Sequence, residues 1–550
     1  MEKKRCFGTV NAFIKAPGEV EVYGAPVANV EFFRGLLEYG TFDEYHIYLR
    51  DEVFAEGVKS ARKLYGRNRS YGKMRLFPFR QLPANVDIYD YTVLHHENPA
   101  LVDYHYIRSI TERLIPISCV VHSASSHLVS LYLLLALLSP TRSCDAIFCS
   151  SRALLESLQK HFSCLRERAG TGRVMESSFY EVPFGIDLRR FRVRNRERMR
   201  RKLALPESAF IAGYVGRLTA ENKMDLIPFL QVIKRLLDET AGRNIHFVAV
   251  GREQQRGYLS LLRKEAGRLG ISRKVTFVTG HANADIPFYY NAFDVFVSPC
   301  DNVQETFGLT ILEAMASGIP VVASDWDGYR DTILHGETGY LIPTYWSEAA
   351  LPISQAYHLE GMLGTYLRLG QSVAVDISRY AGALRLLMEN RDLRCAMGRK
   401  ARAVMEAGYG WERVIGRYEA IWEECSKKAK EECRPVDEPF ILNPPHYEIF
   451  SHYPSEILTP GHVLCITGEG ARAVEKGELP VSFRLSGHLS GDLVNKLLSL
   501  SGKPIVLEEL LILAEETQQN KKKHEIMLHL LWALKNNLLS VIFPAAPELM

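Results

Sequence analysis

Three things are scarce in this sequence: long apolar runs, paired cysteines and an excess of charge of one sign. A membrane span needs about 20 consecutive apolar residues. The stretch that comes nearest, Leu128–Leu138, is cut short by Ser139-Pro140 and is expected to be a buried core helix. The charged start Met1–Phe7 is followed by no apolar segment of signal-peptide length, so a cytoplasmic location is expected. The ten cysteines contain no C-x-x-C pair and no His at zinc-ligand spacing. They read as reduced thiols, with neither a structural metal nor a disulfide framework. With 67 basic and 64 acidic residues the net charge is only +3. No whole-protein field then favours nucleic acid, and any phosphate recognition must be local.

What is present is enough apolar material for several cores, 47% hydrophobic over 550 residues, and three compact units are expected. From Arg5 to Tyr180 short apolar runs alternate with helical stretches, as in a parallel sheet covered by helices. The spacing predicts strands at Phe7–Phe13, Tyr45–Tyr48, Asp87–Leu94, Ser118–His122 and Ala146–Cys149. Gly24-Ala25-Pro26 precedes a helix over Val27–Tyr39, a strand-turn-helix unit that leaves a ligand crevice at the carboxyl ends of strands. A second set of strands is predicted at Phe210–Val215, Ile245–Val250, Val275–Thr279, Val295–Ser298 and Ile319–Ala323. Between the sets lies the basic stretch Leu188–Lys202, a linker that offers a surface to an anionic acceptor or a membrane, or else a solvated helix. Tyr409–Glu424 is an amphipathic helix long enough to run back across both halves. Pro435, Pro439, Pro444 and Pro445 mark a linker.

Chemistry concentrates in Glu305–Val322 (ETFGLTILEAMASGIPVV). Gly308 permits close backbone approach, and a helix starting near Leu309 points unsatisfied N–H groups at whatever precedes it, which suits a diphosphate. Leu309, Leu312 and Ala316 share one face for burial, leaving Glu313 beside that stripe and Glu305 in the loop before it. Two carboxylates suit two tasks, accepting hydrogen bonds from sugar hydroxyls and from a ribose. Arg217 and Lys223 follow the strand Phe210–Val215, and two cations there complement two phosphates.

Glu305 to Val322 resembles the signature of retaining glycosyltransferases of family four, which have the GT-B fold: two glutamates separated by seven residues within E-x-F-G-L-x-x-x-E-A-x-A-x-G-x-P-V-V. Gly216–Lys223 is similar to the family segment whose arginine and lysine grip the donor diphosphate. Phe247–Gly251 resembles the strand that approaches the nucleotide, and Val278-Thr279-Gly280-His281 the turn whose backbone meets the base. Pro183–Asp187 is similar to the P-x-G-[VI]-D hinge, with Phe184 where Asn is commoner. The resemblance implies an α/β chain with two Rossmann-like domains facing across a cleft. Residues 1–190 would form the acceptor domain, 191–408 the donor domain and 409–430 a crossover helix, followed by a linker at 431–450. It implies metal-independent transfer, with retention of configuration, from a UDP- or GDP-sugar to a hydroxyl of a glycan, lipid, natural product, protein or peptide, with no tightly bound cofactor. The roles carried over are catalytic for His122, Arg217, Lys223 and Glu305. Donor binding would involve Arg217, Lys223, Gly251, Gly280, Glu305, Phe307, Gly308, Leu309, Thr310 and Glu313, with Glu313 on the ribose and Glu305 on the sugar hydroxyls. His95 and His96 compete with His122 for the place near the sugar.

Departures from that pattern are local. A glycine-glycine loop after the first strand is not evident, with Ala16-Pro17-Gly18 and Tyr23-Gly24-Ala25 in its place, and Tyr345–Val375 is an insert without an assigned task. Asp325-Trp326-Asp327 invites a rival reading as an Asp-x-Asp metal motif. A second rival is a non-catalytic nucleotide-sugar scaffold. The tail 451–550 has apolar helical patterns at Leu489–Leu500, Leu507–Thr517 and His524–Asn536 and a strand-like Leu538–Phe543, which suggests a winged helix. Over Ser490–Val541 it is similar in outline to domains that recognise leader peptides of ribosomally made natural products. A protein or peptide partner is expected there rather than DNA, because His524–Asn536 is mostly apolar, although Lys521-Lys522-Lys523 precedes it.

Overall fold

Alternating apolar runs and amphipathic helices produce two all-parallel sheets in the computed structural model, which describes residues 4–14, 24–111, 113–172, 174–240, 243–280, 282–432, 445–485, 489–517 and 523–542. The first sheet contains β1 (Arg5–Val10), β2 (Glu44–Leu49), β3 (Met74–Pro78), β4 (Asp90–His96), β5 (Ile117–Val121), β6 (Ala146–Cys149) and β7 (Ser178–Glu181), in the order β3-β2-β1-β4-β5-β6-β7. The second contains β8 (Phe210–Val215), β9 (Ile245–Val250), β10 (Val275–Val278), β11 (Val295–Ser298), β12 (Val321–Ser324) and β13 (Gly339–Ile342), in the order β10-β9-β8-β11-β12-β13. Helices cover both faces, so strands such as β2 and β8 are buried along their whole length. In each sheet the chain reverses its winding beside the first strand, between β1 and β4 and between β8 and β11. A ligand crevice opens at that point, at the carboxyl ends of the strands. The two Rossmann-like halves are those of a GT-B fold.

Several strands differ from the sequence-based expectation for stated reasons. β1 ends at Val10, short of Phe13, because Asn11 and Phe13 adopt left-handed backbone (φ 49° and 64°). The strand expected over Asp87–Leu94 starts later, as β4 at Asp90, because Asp87 and Ile88 end a helix, Leu82–Ile88. β12 starts after Pro320, which has no N–H for a ladder. Leu128–Leu138 lies within a helix, His127–Leu138, that buries Leu133, Ala136 and Leu137 but leaves Leu128 and Leu131 about half exposed, so it is only partly a core helix. No described helix is long and apolar enough to cross a membrane.

The basic stretch Leu188–Lys202 is occupied mainly with internal contacts. Asn195 caps a short helix, Arg196–Lys202. Arg196 and Arg200 both bond Asp294 (2.8 and 2.6 Å), and Arg189 reaches Glu38 and Tyr39 (2.8 Å each). The return helix, Trp411–Glu431, packs on the helix Gly24–Tyr39 and on β4. Its Trp422 is fully buried against Phe7 and donates to Ser118 Oγ (3.1 Å). Gly35 and Gly185 leave room for Trp411: a Cβ on either would stand 3.0 or 2.4 Å from the indole.

The insert is closed at its base by an antiparallel pair, β14 (Thr344–Tyr345) with β15 (Ala374–Val375). Its long helix, Tyr357–Gln371, kinks at Gly361 (φ 73°) and contacts the first half: Tyr366 Oη lies 2.8 Å from Ser125 Oγ and Tyr357 Oη 2.6 Å from His127 Nδ1.

The chain divides into two compact units, Met1–Leu442, which holds everything above, and Asn443–Met550. The second unit is built on β16 (Val463–Ile466), flanked antiparallel by β17 (Ile505–Val506) and β18 (Leu539–Ile542). Helices Gly491–Leu500, Leu507–Thr517 and Lys523–Lys535 lie where the sequence pattern puts them, and Leu464, Leu497, Leu510, Ile526 and Leu530 form the unit's core. β16, β17 and the helix Gly468–Lys476 are additional; that helix carries Gly468 and Gly470, poor helix formers, but is capped by Thr467. A short helix, His446–Phe450, lies within the expected linker. Pro435, Pro439, Pro444, Lys521 and Lys522 lie outside the described residues, as do Ala16-Pro17-Gly18, Tyr23 and His281.

Candidate functional site

The site forms because both sheets deliver their loops to one cleft. Gly216, Arg217 and Lys223 follow β8, and Gln304–Gly308 follow β11, on either side of the winding reversal in the second sheet. The helix Leu309–Ala316 starts immediately afterwards with Gly308 as its N-cap. At φ 88° Gly308 takes a conformation that side chains rarely adopt, and a Cβ there would stand 2.4 Å from Tyr329 Cε1. Only glycine lets this turn aim the helix N-terminus into the cleft.

A cavity of about 250 Å³ results. The second half contributes Arg217, Lys223, Glu305, Phe307, Gly308, Leu309, Thr310 and Glu313; the first half adds His122. Those nine expected residues come together. Gly251 and Gly280 do not line the cavity. Gly251 serves backbone packing, since a Cβ on it would fall 1.6 Å from the carbonyl oxygen of Gly216, and Gly280 sits exposed after β10 with open space around it.

Each charged group is held by a definite partner set. Arg217 donates to Asn222 Oδ1 (2.8 Å) and Gln254 Oε1 (2.6 Å). Lys223 bonds Glu305 directly. Burial alone would raise the Glu305 carboxyl, but the Lys223 ammonium and the backbone amides of Phe307 and Thr306 hold it below the usual range. Glu313 accepts from Tyr290 Oη (2.7 Å). Burial pushes Glu313 up to about 7, against the opposing pull of Tyr290 and the Arg190 guanidinium.

His122 immediately follows β5 and faces Asn29 Oδ1 through Nε2 (2.7 Å). Burial lowers it to about 4, only partly offset by its hydrogen bond to the Glu97 carbonyl, so the ring is neutral near pH 7. It stacks on Phe184 (5.2 Å between centroids, 7° between planes), which meets Phe307 edge-on at 5.5 Å. Thr306 Oγ1 donates to the His122 carbonyl (2.6 Å) and Ser151 Oγ to the Thr306 carbonyl (2.7 Å). The Glu305 loop is thereby tied to the first sheet. Of the competing histidines, His95 is fully buried against Ser118 Oγ (2.8 Å), and neither it nor His96 lines the cavity.

Ala25, part of the candidate loop Tyr23-Gly24-Ala25, lines the cavity, whereas sequence reasoning missed Val27, Ala28, Gln304 and Thr306 as lining residues, and Asn29 and Tyr290 as partners. A signal existed for Val27 and Ala28, in the turn Gly24-Ala25-Pro26 that opens the first helix. In the Asp-x-Asp triplet, Asp325 pairs with Arg330 (2.6 Å), while Asp327 accepts from its neighbour Gly328 N–H. Among the described residues, one trio of metal-ligand type comes close together, Cys6, Glu44 and His46, at the starts of β1 and β2. Glu44 there is already bonded to Lys4 (2.6 Å) and His46 (3.0 Å).

Comparison with known proteins gives a consistent picture. Residues 195–372 match the family Glycosyl transferases group 1. D-inositol 3-phosphate glycosyltransferase of Nocardia farcinica is 29% identical over 249 residues, covering 44% of this chain and 48% of that protein. The GDP-mannose-dependent alpha-(1-6)-phosphatidylinositol monomannoside mannosyltransferase of Mycobacterium tuberculosis is 28% identical over 263 residues, covering 46% and 58%. The match thus spans about half the length of these relatives. Among solved structures, Anabaena HepE in complex with UDP aligns with TM-score 0.51 at 18% identity, over 76% of this chain and 100% of that one, which is a likeness of fold. Residues 195–372 are therefore similar to the glycosyl transferases group 1 family, and they are carried on a chain with the GT-B fold.

Proposed function

We propose that this chain moves a sugar from a nucleotide-diphosphate sugar to an acceptor hydroxyl, with retention of configuration and without a metal ion. The observation that carries the reading is the convergence, in one cavity, of two cations, a helix N-terminus and two carboxylates of opposite electrostatic character. In the reaction the anomeric carbon–oxygen bond to the diphosphate breaks while the acceptor oxygen bonds to that carbon, and the acceptor's hydroxyl proton passes to the leaving diphosphate oxygen. Negative charge collects on the leaving diphosphate, and preorganised positive groups aimed at developing charge usually supply the largest catalytic contribution. Arg217, already fixed by Asn222 and Gln254, Lys223 and the N–H groups of Leu309 and Thr310 take that role. Glu305 accepts from the sugar hydroxyls, Glu313 from the ribose, and His122 orients the sugar as a neutral ring. The acceptor is held by the first half, residues 1–190, and the donor by 191–408.

The Mycobacterium relative is named as GDP-mannose-dependent and the HepE structure holds UDP, which supports a UDP- or GDP-sugar as donor. Titration of UDP and GDP in the presence of EDTA tests the reading directly. The winged-helix reading of the second unit is supported by its three-stranded antiparallel sheet and its helices, and we assign it to recruiting a protein or peptide acceptor. Removing 443–550 should leave donor hydrolysis intact and abolish transfer; loss of both activities would count against recruitment.

A further inference from the structure

A second cavity, of about 530 Å³, opens at the opposite end of the second sheet from the cleft. Phe210 begins β8 and Asp294 immediately precedes β11, so its walls stand at the amino ends of the strands whose carboxyl ends build the donor site. Five arginines line it: Arg196, Arg200, Arg243, Arg391 and Arg394. Facing them are three carboxylates, so the lining is cationic by two charges. Of the three, Glu197 is exposed, and Glu207 lies near Arg201 outside the cavity (3.6 Å).

The remaining carboxylate is overcommitted. Asp294 takes Arg196 and Arg200 (2.8 and 2.6 Å), accepts from Ile211 N–H (2.8 Å), and has Arg394 Nη2 at 3.5 Å. Arg394 is nine-tenths buried, donates Nη1 to the Leu387 carbonyl (2.5 Å), and keeps an Nε–H with no partner. Burial, with Arg196 and Arg391 close by, pushes its guanidinium below the usual range even though Asp294 pulls the other way. Arg391 and Arg394 also occupy the first turn of the 18-residue helix Arg391–Gly408, whose N-terminus is already the positive end of its dipole. A purely structural ion network balances its charges, because buried charge without a partner is costly. This one leaves the cavity lining two charges positive, beside a helix N-terminus that Asn390 caps, and guanidinium forks match phosphate oxygens.

We propose that this cavity is a second ligand site, separate from the donor cleft, which binds a phosphorylated organic molecule through Arg243, Arg391 and Arg394. A volume of about 530 Å³ lies in the range of small-molecule sites and exceeds what inorganic phosphate alone would fill. Ser208 and Asn244 supply neutral polar groups for the organic part.

The test is calorimetric titration of the full chain, at fixed ionic strength, with glycerol 3-phosphate and separately with inorganic phosphate. Wild type is compared with Arg243→Gln/Arg391→Gln and with Lys223→Ala. Arg243 and Arg391 are both exposed, so the double variant is expected to fold; Arg391→Gln alone is the second probe should it not. The site predicts that glycerol 3-phosphate binds wild type and Lys223→Ala alike, and at least tenfold more weakly the double variant, with a smaller loss in Arg391→Gln. Inorganic phosphate binding more weakly at the same arginines supports an organic ligand; equal or tighter phosphate binding overturns that part of the assignment. Absence of binding at millimolar concentration, binding indifferent to the arginine variants, or binding lost only with Lys223→Ala would overturn the site.

Discussion

Lys223 and Glu305 are bonded to each other inside the donor cleft, ammonium to carboxylate, with side-chain exposures of only 13% and 11%. The cation proposed for the diphosphate and the carboxylate proposed for the sugar therefore form one electrostatic unit. Removing one partner of a buried pair strands the other, which typically costs about 3–5 kcal/mol, whereas removing both costs far less. Lys223→Ala should accordingly melt well below wild type, and Lys223→Ala/Glu305→Ala should recover much of that loss while remaining inactive. Thermal melts of the two variants at pH 7 check this; a double variant no more stable than the single one would dissolve the coupling.

Glu313 gives a pH dependence of opposite sign to that of Glu305. Its carboxyl titrates at about 7 in the fold, above the ordinary carboxylate value, so the folded protein holds a proton that the unfolded chain has released. The associated stabilisation is complete below about pH 4.5 and disappears as pH rises through about 7. Glu313→Gln should thus gain about 1–3 kcal/mol relative to wild type between pH 5 and pH 8. Nucleotide affinity should move the other way, rising more steeply from pH 6 to pH 8 in wild type, where the carboxylate gains acceptor capacity for the ribose, than in Glu313→Gln, where only the nucleotide's own phosphate titrates. Melts and titrations at three pH values separate the two effects.

His122, lowered to about 4 by burial, carries no charge change between pH 5 and pH 8. Substituting His122→Asn should lower kcat by about 10–100-fold, by loss of orientation, without shifting the acid limb of the rate profile. An inflection that vanishes in His122→Asn would assign that limb to the histidine instead.

Gly308→Ala tests the turn that aims the helix. The added methyl meets Tyr329 at 2.4 Å in a backbone conformation that side chains avoid, a strain of about 1–3 kcal/mol. Donor affinity should fall at least tenfold and the melting temperature with it; wild-type affinity in this variant would show that the turn tolerates a side chain.

The second sheet was the more legible half because its central strands are continuous apolar runs. β8, β9 and β11 begin and end where the residue pattern places them. β3, β7 and β13 escaped because each is an edge strand with mixed exposure. The donor motif was readable because Glu305, Gly308 and Glu313 are neighbours in sequence, and their spacing alone sets a loop, a turn and a helix face. Their partners were not readable. Asn29 reaches His122 across 93 positions, and Tyr357 of the insert meets His127 across 230, contacts that only the packing of sheets and helices creates.

Calorimetric titration of UDP and GDP into wild type, Arg217→Ala and Glu313→Ala, with EDTA present throughout, tests the central claim most directly. A metal-independent donor site predicts that one of the two nucleotides binds wild type and that both substitutions weaken it by tenfold or more. Binding that appears only when a divalent ion replaces EDTA, or that neither substitution alters, would contradict it.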